Sequence, residues 1–397
     1  MANSIVRLIK NIKEFSIGKE KIYIYGAGKY GVRCKMLLDY LGISTEAFLL
    51  TNIADNSSKK YKNKDIICDI PVLQFGENIF GNNKVGIIVA MHPRYFPEVI
   101  DYMQSKVKDI DYILYFDTNP IVEITTKIGC SVNCSYCPQN LLIKNYIKRS
   151  ANDKKLLLDF ESFKEYLSAI PPITLIRFCG MSEPFLNESC PDMIEYAYES
   201  GYKVDLYSTL IGLKIDDIER VLKCIDNIVL HVPDSAGNAD IPITDDYKEK
   251  LKKVFAYKRD GEYIIPIISC HGNIHPEITK LIPNDLRYVL WNEMQDRAGN
   301  LEVSKKDVFH YNRQGSIICT VNGRNSIILD SNIMLPNGDL LMCCMDYSLD
   351  YVIGNLSKNK YEEILQGDCV NRIRQNMLQQ KDDILCRHCN LASEISV

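Results

Sequence analysis

The chain carries Cys130-Ser131-Val132-Asn133-Cys134-Ser135-Tyr136-Cys137 just after a strand-like run, Ile121-Val122-Glu123-Ile124-Thr125-Thr126. Three thiols at spacing C-x3-C-x2-C make a soft-ligand set of the kind that holds an iron–sulfur cluster. Three thiolates on a cubane cluster leave one iron open to a small molecule. A closed structural zinc site wants a fourth ligand nearby, and no His or Cys follows at short spacing. A zinc loop and three unrelated cysteines are the alternatives.

The chain has fifteen cysteines in 397 residues. No apolar run reaches the roughly 18 residues of a membrane span. The opening Met1-Ala2-Asn3-Ser4-Ile5-Val6-Arg7-Leu8-Ile9-Lys10 lacks a signal-peptide apolar region. The expectation is a soluble cytoplasmic protein, where disulfides are rare. Seven cysteines fall into two groups with metal-like spacing, and the others read as small buried hydrophobes. A hydrophobic content of 46% supports folded cores, and the length suits two to three domains. Net charge is -4, which leaves no basic footprint for nucleic acid.

Alternation of strand and helix patterns divides the chain into 1–117, 118–300 and 301–397. In the first part an amphipathic helix over 1–20 precedes a strand, Lys21-Ile22-Tyr23-Ile24-Tyr25. Gly26-Ala27-Gly28-Lys29-Tyr30-Gly31 then reads G-x-G-x-x-G and opens a helix over 29–41. Strands at 47–50, 85–90 and 112–115, with a helix over 94–107, complete a small parallel sheet of Rossmann-like type. A dinucleotide site wants an acid at the end of the second strand. Asn52 and Asp55 lie near it, but no Asp or Glu stands at the strand end itself. A scaffold without cofactor, a nucleotide or nucleotide-sugar site, and an NAD site are the open readings. The segment weakly resembles domains attached to bacterial surface-sugar enzymes. Ser57-Ser58-Lys59-Lys60-Tyr61-Lys62 reads as a solvated loop.

The middle part has strand patterns at 121–127, 174–179, 203–208, 227–232, 263–268 and 288–292. Their near-continuous apolar character suits parallel strands covered on both faces. Helix patterns at 159–169, 190–200, 216–224, 246–258 and 276–282 connect them. Functional groups are expected at the strand C-terminal ends, as in full α/β barrels. Beyond 300, Pro336-Asn337-Gly338 marks a hairpin between 327–329 and 340–342, and a helix pattern covers 360–380.

With Tyr136 between its last two thiols, the cysteine loop resembles the C-x3-C-x-aromatic-C signature of the radical S-adenosylmethionine (SAM) superfamily. The resemblance implies a partial (β/α)6 barrel, which the strand count fits. It implies a [4Fe–4S] cluster on Cys130, Cys134 and Cys137, with SAM on the open iron. It also implies a 5′-deoxyadenosyl radical, and an electron donor such as flavodoxin or ferredoxin. Gly180-Met181-Ser182-Glu183 resembles the family's "GGE" segment, whose backbone accepts the SAM amino group, although Met181 or Ser182 replaces the second glycine.

Ser208, at the end of the third strand, is a candidate for the SAM ribose or a helix cap. Arg297 is a candidate for the SAM carboxylate or a substrate phosphate. His231 and His271 read as cavity or core residues. Cys270 is a candidate hydrogen donor to a carbon radical, or a buried small residue. Cys319, Cys343, Cys386 and Cys389, through G-x4-C and C-x2-C spacings, resemble the SPASM/twitch extension in its shorter form, with one auxiliary [4Fe–4S] cluster. Cys344 competes with Cys343, and zinc is the alternative metal. The resemblance implies a radical SAM enzyme, an oxidoreductase or epimerase acting on a small polar substrate. A sugar or cyclitol, possibly nucleotide-linked, is the first choice and peptide or protein maturation the second. A redox-sensing or scaffold protein is the non-enzymatic alternative.

Overall fold

The computed structural model describes residues 4–51, 65–80, 84–149, 155–264, 266–284, 286–291, 297–301, 311–321, 325–379 and 382–395. By contact the chain forms two compact units, Met1–Pro120 with Pro171–Thr174, and Ile121–Ile170 with Leu175–Val397. The 118–300 and 301–397 segments expected from sequence thus fall almost wholly in one unit. No helix among the described residues is long and apolar enough to cross a membrane.

The first unit opens with α1 (Ile5–Ser16), whose Ile5, Leu8, Ile9 and Ile12 are buried on one face. Its sheet contains β1 (Lys21–Tyr25), β2 (Phe48–Leu50), β3 (Ile66–Ile67), β4 (Ile70–Gln74), β5 (Val85–Val89) and β6 (Tyr112–Leu114). Helices α2 (Lys29–Tyr40) and α3 (Phe96–Lys106) follow β1 and β5. The order is β3-β4-β2-β1-β5-β6, parallel except for the β3–β4 pair. Without β3 this is the doubly wound order of a Rossmann-like sheet. Sequence patterns missed β3 and β4. Gly31 fits its place for a steric reason: a Cβ there would stand 1.8 Å from the Gly26 carbonyl oxygen. Asn52, Asp55 and the loop 57–62 lie outside the described residues.

In the second unit, β7 (Ile121–Ile124), β8 (Leu175–Phe178), β9 (Lys203–Ser208), β10 (Asn227–His231), β13 (Ile267–His271) and β14 (Arg287–Trp291) run parallel in that order. Between them come α4 (Gln139–Arg149), α5 (Phe160–Ser168), α6 (Cys190–Glu199), α7 (Ile218–Lys223), α8 (Asp245–Ala256) and α9 (Pro276–Thr279). This is the open (β/α)6 barrel expected. The fifth strand begins four residues later than its apolar pattern does. Pro266 cannot donate to a ladder, and Ile267 is the first paired residue. Glu262 and Tyr263 instead form β12 (Glu262–Tyr263), paired with β11 (Lys258–Arg259).

Side chains alternate across each strand. Ile124, Phe178, Leu206 and Ile228 share one register row, and the ring of Phe178 meets Phe163 of α5 at 5.8 Å. That face is covered by helices. Glu123, Arg177, Asp205 and Asn227 share the next row, on the opposite, inner face.

The sheet continues past β7 into β16 (Ser331–Met334), β17 (Asp339–Leu341) and β18 (Val352–Asn355). β16 is parallel to β7, and the next two pairings are antiparallel. The hairpin is where its turn residues place it, but its first strand starts at Ser331. Leu329 has φ +59, a left-handed conformation that no strand contains. The expected helix over 360–380 is two, α10 (Tyr361–Ile364) and α11 (Asp368–Gln379), with Gly367 between them. A separate two-stranded ribbon joins β15 (Ile317–Cys319) to β19 (Ala392–Glu394).

Candidate functional site

The cysteine loop leaves the C-terminal end of β7 and enters α4. Contacts beyond β10 hold it: Ser135 N–H donates to the Asn238 carbonyl and Asp240 N–H to the Val132 carbonyl, each at 2.7 Å. Asn238 is fixed by Asp234, whose carboxylate accepts its N–H at 2.9 Å and its side-chain amide at 3.0 Å. All three thiols are half-buried. Burial pushes Cys134 up to about 12, and the neighbouring thiols push the same way. Burial likewise raises Cys130. Such thiols stay protonated in the free protein and release protons when a metal binds.

The segment after β8 meets this loop directly. Glu183 N–H donates to Cys130 Sγ at 3.4 Å, a contact of the type that tunes a cluster. Gly180 has φ +52, and a Cβ there would lie 2.3 Å from Thr125 Oγ1. Met181 is buried, its N–H donates to Thr125 Oγ1 at 3.1 Å, and its carbonyl accepts from Gln139. Ser182 Oγ is buried with no partner. The Glu183 side chain does something else. Its carboxylate accepts from Ser208 Oγ at 2.6 Å and from Thr209 N–H and Oγ1 at 2.7 Å each. Ser208 Oγ also accepts from Leu210 N–H at 2.8 Å. The Ser208 hydroxyl is therefore spent on a buried brace, which corrects its expected place at the SAM ribose.

Cys270 is corrected as well. On β13 it shares parity with Ile268, which pairs with Leu230 on the helix-covered face. It is fully buried, with Tyr247 of α8 as a neighbour. The inner face instead receives His231, Ser269 and His271. The Tyr136 ring stacks on His271 with centroids 3.6 Å apart, and its hydroxyl bonds His231 Nε2. Burial holds His231 down at about 4 and His271 at about 3, the latter helped by His231. Both rings are neutral at pH 7.

Arg297 Nε donates to the Tyr136 carbonyl at 3.3 Å. Burial disfavours its charge, but Tyr347, Cys344, Cys137 and Tyr136 around it more than offset this. Arg297 thus has thiols of both cysteine groups as neighbours. Nothing in the local sequence singles out Glu123, Arg177 and Asp205, because only strand register shows that they share a face.

The second cysteine group converges. Cys319, Cys343, Cys344, Cys386 and Cys389 line one pocket with Met342, Met345 and Leu385, and its empty volume, open solvent included, is about 400 Å³. Cys319 reaches it from β15, held by pairing with Ala392 of β19. Burial raises the Cys343 thiol, with Cys344, Cys386 and Cys389 next in influence. Cys344 is pushed by burial to about 12, and its strongest charged neighbours are Glu123 and Arg297, on the barrel side. Among the described residues, no three His, Cys, Asp or Glu are drawn together as a single metal ion needs.

Residues 327–390 match the family model SPASM, an iron–sulfur cluster-binding domain. This stretch is a SPASM domain. It contributes β16 to β18 to the barrel sheet and carries Cys343, Cys386 and Cys389. A cysteine loop that resembles the radical SAM signature, on a parallel barrel, is thus followed in the same sheet by a stretch that matches an iron–sulfur cluster-binding domain.

No curated protein matches the chain. Among solved structures it is similar to BtrN in complex with AdoMet and 2-DOIA, at 13% identity, 71% of this chain, 96% of that one and a TM-score of 0.45. It is also similar to Streptococcus suis SuiB bound to precursor peptide SuiA, at 13% identity, 75% of this chain, 82% of that one and a TM-score of 0.45. Likeness at this level carries no argument about substrate.

Proposed function

We propose that the chain is a radical SAM oxidoreductase acting on a small polar molecule, a sugar or cyclitol, free or nucleotide-linked, by dehydrogenation or epimerisation. One observation carries the reading. The three-thiol loop lies at the C-terminal rim of a parallel barrel, with Glu183 N–H on Cys130 Sγ and Ser182 Oγ buried without a partner in the same segment. An unpaired buried hydroxyl is costly, and the amine and carboxylate of SAM offer it partners.

Cys130, Cys134 and Cys137 would hold the first cluster, and Tyr136, Gly180, Met181, Ser182, the Glu183 backbone and Arg297 would hold SAM. The chemistry such a pair would supply is removal of a hydrogen atom from the substrate by a SAM-derived radical. Cys319, Cys343, Cys386 and Cys389 would hold the auxiliary cluster. The rest of the site orients and shields. Arg297, with Cys137 and Cys344 as neighbours, would offset the thiolate charge that cluster binding creates. The Glu183 brace fixes the rim after β8 and β9. His231 and His271 offer hydrogen bonds without charge.

The test is anaerobic reconstitution followed by reduction with dithionite. The expected results are two cubane clusters per chain, a paramagnetic signal that SAM perturbs, and 5′-deoxyadenosine formation stimulated by sugars or cyclitols. Replacing Cys130, Cys134 and Cys137 together by alanine should abolish the SAM-sensitive signal and leave the other. A SAM-insensitive spectrum in the unaltered protein would sink the reading. Stimulation by a peptide in place of a sugar or cyclitol would move the substrate to peptide maturation.

A further inference from the structure

Outside its loop of three, the barrel carries Cys179, Cys190, Cys224 and Cys270. Cys190 opens α6, Cys224 caps α7 and Cys270 lies on the helix-covered face, and all three are buried. Cys179 is different. It follows Phe178, the last residue of β8, and shares parity with Arg177, which puts it on the inner face at the C-terminal rim. It is half-buried, and Glu123, Arg177 and Tyr207 are its neighbours.

The thiol shares a hydrogen bond with the Glu123 carboxyl. Arg177 Nη1 donates to Glu123 Oε1 at 3.2 Å, and Nη2 lies 3.5 Å from Asp205 Oδ2. Glu123 faces Arg177, Cys179, Arg297 and, from the SPASM side, Cys344. Burial favours its neutral carboxyl against the pull of Arg177, which biases it toward carrying a proton beside the thiol. Two further facts point to a bound molecule. Arg177 is only 7% exposed, yet its Nε has no hydrogen-bond acceptor. Buried donors are almost always paired, so this one asks for an oxygen brought in from outside. The Tyr207 ring, 4.7 Å from the guanidinium carbon, keeps the face open, with 38% of the residue exposed.

We propose that Cys179 is the hydrogen donor of the site, giving a hydrogen atom to a carbon radical on a substrate whose oxygen accepts from Arg177 Nε, and that the reaction is an epimerisation. The inference rests on the proposed function for the origin of that radical. In the step, the S–H bond breaks and a C–H bond forms on the substrate, which leaves a thiyl on Cys179. One electron and one proton restore the thiol. The electron comes from the low-potential donor that reductive SAM cleavage already requires, of the flavodoxin or ferredoxin class. The proton comes from Glu123, which water reprotonates. The substrate is neither oxidised nor reduced overall. Cys344 also has Glu123 as a neighbour, but it lines the pocket of the second cysteine group and is the rival to be tested.

The first test needs no turnover. Cys179→Ser should remove an S–H stretching band from the infrared spectrum of the reconstituted chain, at a frequency below that of an unbonded thiol, and Glu123→Gln should move that band. A spectrum that Cys179→Ser leaves unchanged would overturn the assignment. The second test gives the enzyme SAM and dithionite in heavy water, with myo-inositol, methyl glucoside and UDP-glucose in turn, and reads each recovered compound by mass spectrometry and NMR. The compound that stimulates 5′-deoxyadenosine formation should gain a single deuterium on an inverted carbon. In Cys179→Ser and Cys179→Ala the label gained per 5′-deoxyadenosine should fall to background, and in Cys344→Ser it should not. Label that survives in a folded Cys179 variant, label lost in Cys344→Ser alone, or SAM cleavage with no label in any compound would sink the inference and leave the proposed function standing. No SAM cleavage at all would instead remove the proposed function and, with it, the source of the radical.

Discussion

Glu183 divides its work between backbone and side chain. Its N–H faces Cys130 Sγ, while its carboxylate takes three bonds of 2.6 to 2.7 Å from Ser208 and Thr209. A sequence motif names the residue without saying which half matters. Glu183→Gln keeps the N–H but puts an amide donor against hydroxyl donors. It should cost roughly 1–3 kcal/mol in chemical denaturation and leave the SAM-sensitive signal in place. If that signal vanishes from a protein of unchanged stability, the carboxylate belongs to the cofactor after all.

His231 and His271 make the same scale testable by pH. Both are held neutral by burial, at about 4 and about 3, against 6.5 for the free group. A depressed histidine leaves the unfolded chain binding more protons below 6.5. Stability is then full above pH 6.5 and declines as pH falls toward the folded values. By pH 5 the loss through His231 is about 2 kcal/mol. Melting from pH 8 to 5 should show this slope, and His231→Gln should flatten it. A slope that the variant leaves unchanged would assign the loss to other groups.

At the scale of elements, β15 and β19 matter most for the auxiliary pocket. Cys319 is held on one side by its pairing with Ala392 and on the other by a two-bond bridge to Ser326, so β19 supplies one of its two anchors. Deleting 392–397 should free β15 and lower the iron content toward one cluster per chain. Absorbance near 400 nm should fall with it, while the SAM-sensitive signal survives. Retention of all the iron would mean that Cys319 is not a ligand.

Much of the element map was legible in the sequence, and the failures have local causes. The strands at 121, 175, 203 and 227 announce themselves as apolar runs because both their faces are covered. The fifth strand starts later than its pattern suggests, because Ile264 to Ile268 is apolar throughout and only Pro266 argues against pairing. That shift moved Cys270 from the expected rim into the helix-covered face. α4 leaves little apolar pattern in the sequence because it buries little beyond Gln139, Leu142 and Tyr146. A strand pattern runs through Leu329 because nothing about a leucine signals φ +59. The cysteine groups were legible because ligand spacing is a local property, whereas the Glu123 row exists only across three strands.

At the scale of the molecule, one sheet runs from β14 through β7 to β18, so barrel and SPASM domain share a ladder of hydrogen bonds. β16 pairs with the strand that leads straight into the cysteine loop. A boundary drawn at residue 300 cuts through this sheet. A fragment ending there would leave β7 with an unpaired edge, and should aggregate rather than fold as a barrel. Recovery of a soluble, SAM-binding 118–300 fragment would show that the ladder is dispensable.

The two thiol sets also differ in how they are gathered. Cys130, Cys134 and Cys137 are brought together by one short loop, so iron can find them in a chain that is barely folded. The pocket that includes Cys319, Cys343, Cys386 and Cys389 exists only once distant segments have met, and closing such long intervals is entropically slow. On the proposed ligand sets, metal delivery should therefore be a two-stage event, which stopped-flow iron uptake by the refolding chain would resolve as two phases. The first stage should be open to an early, unfinished polypeptide, and the second should wait until folding is complete.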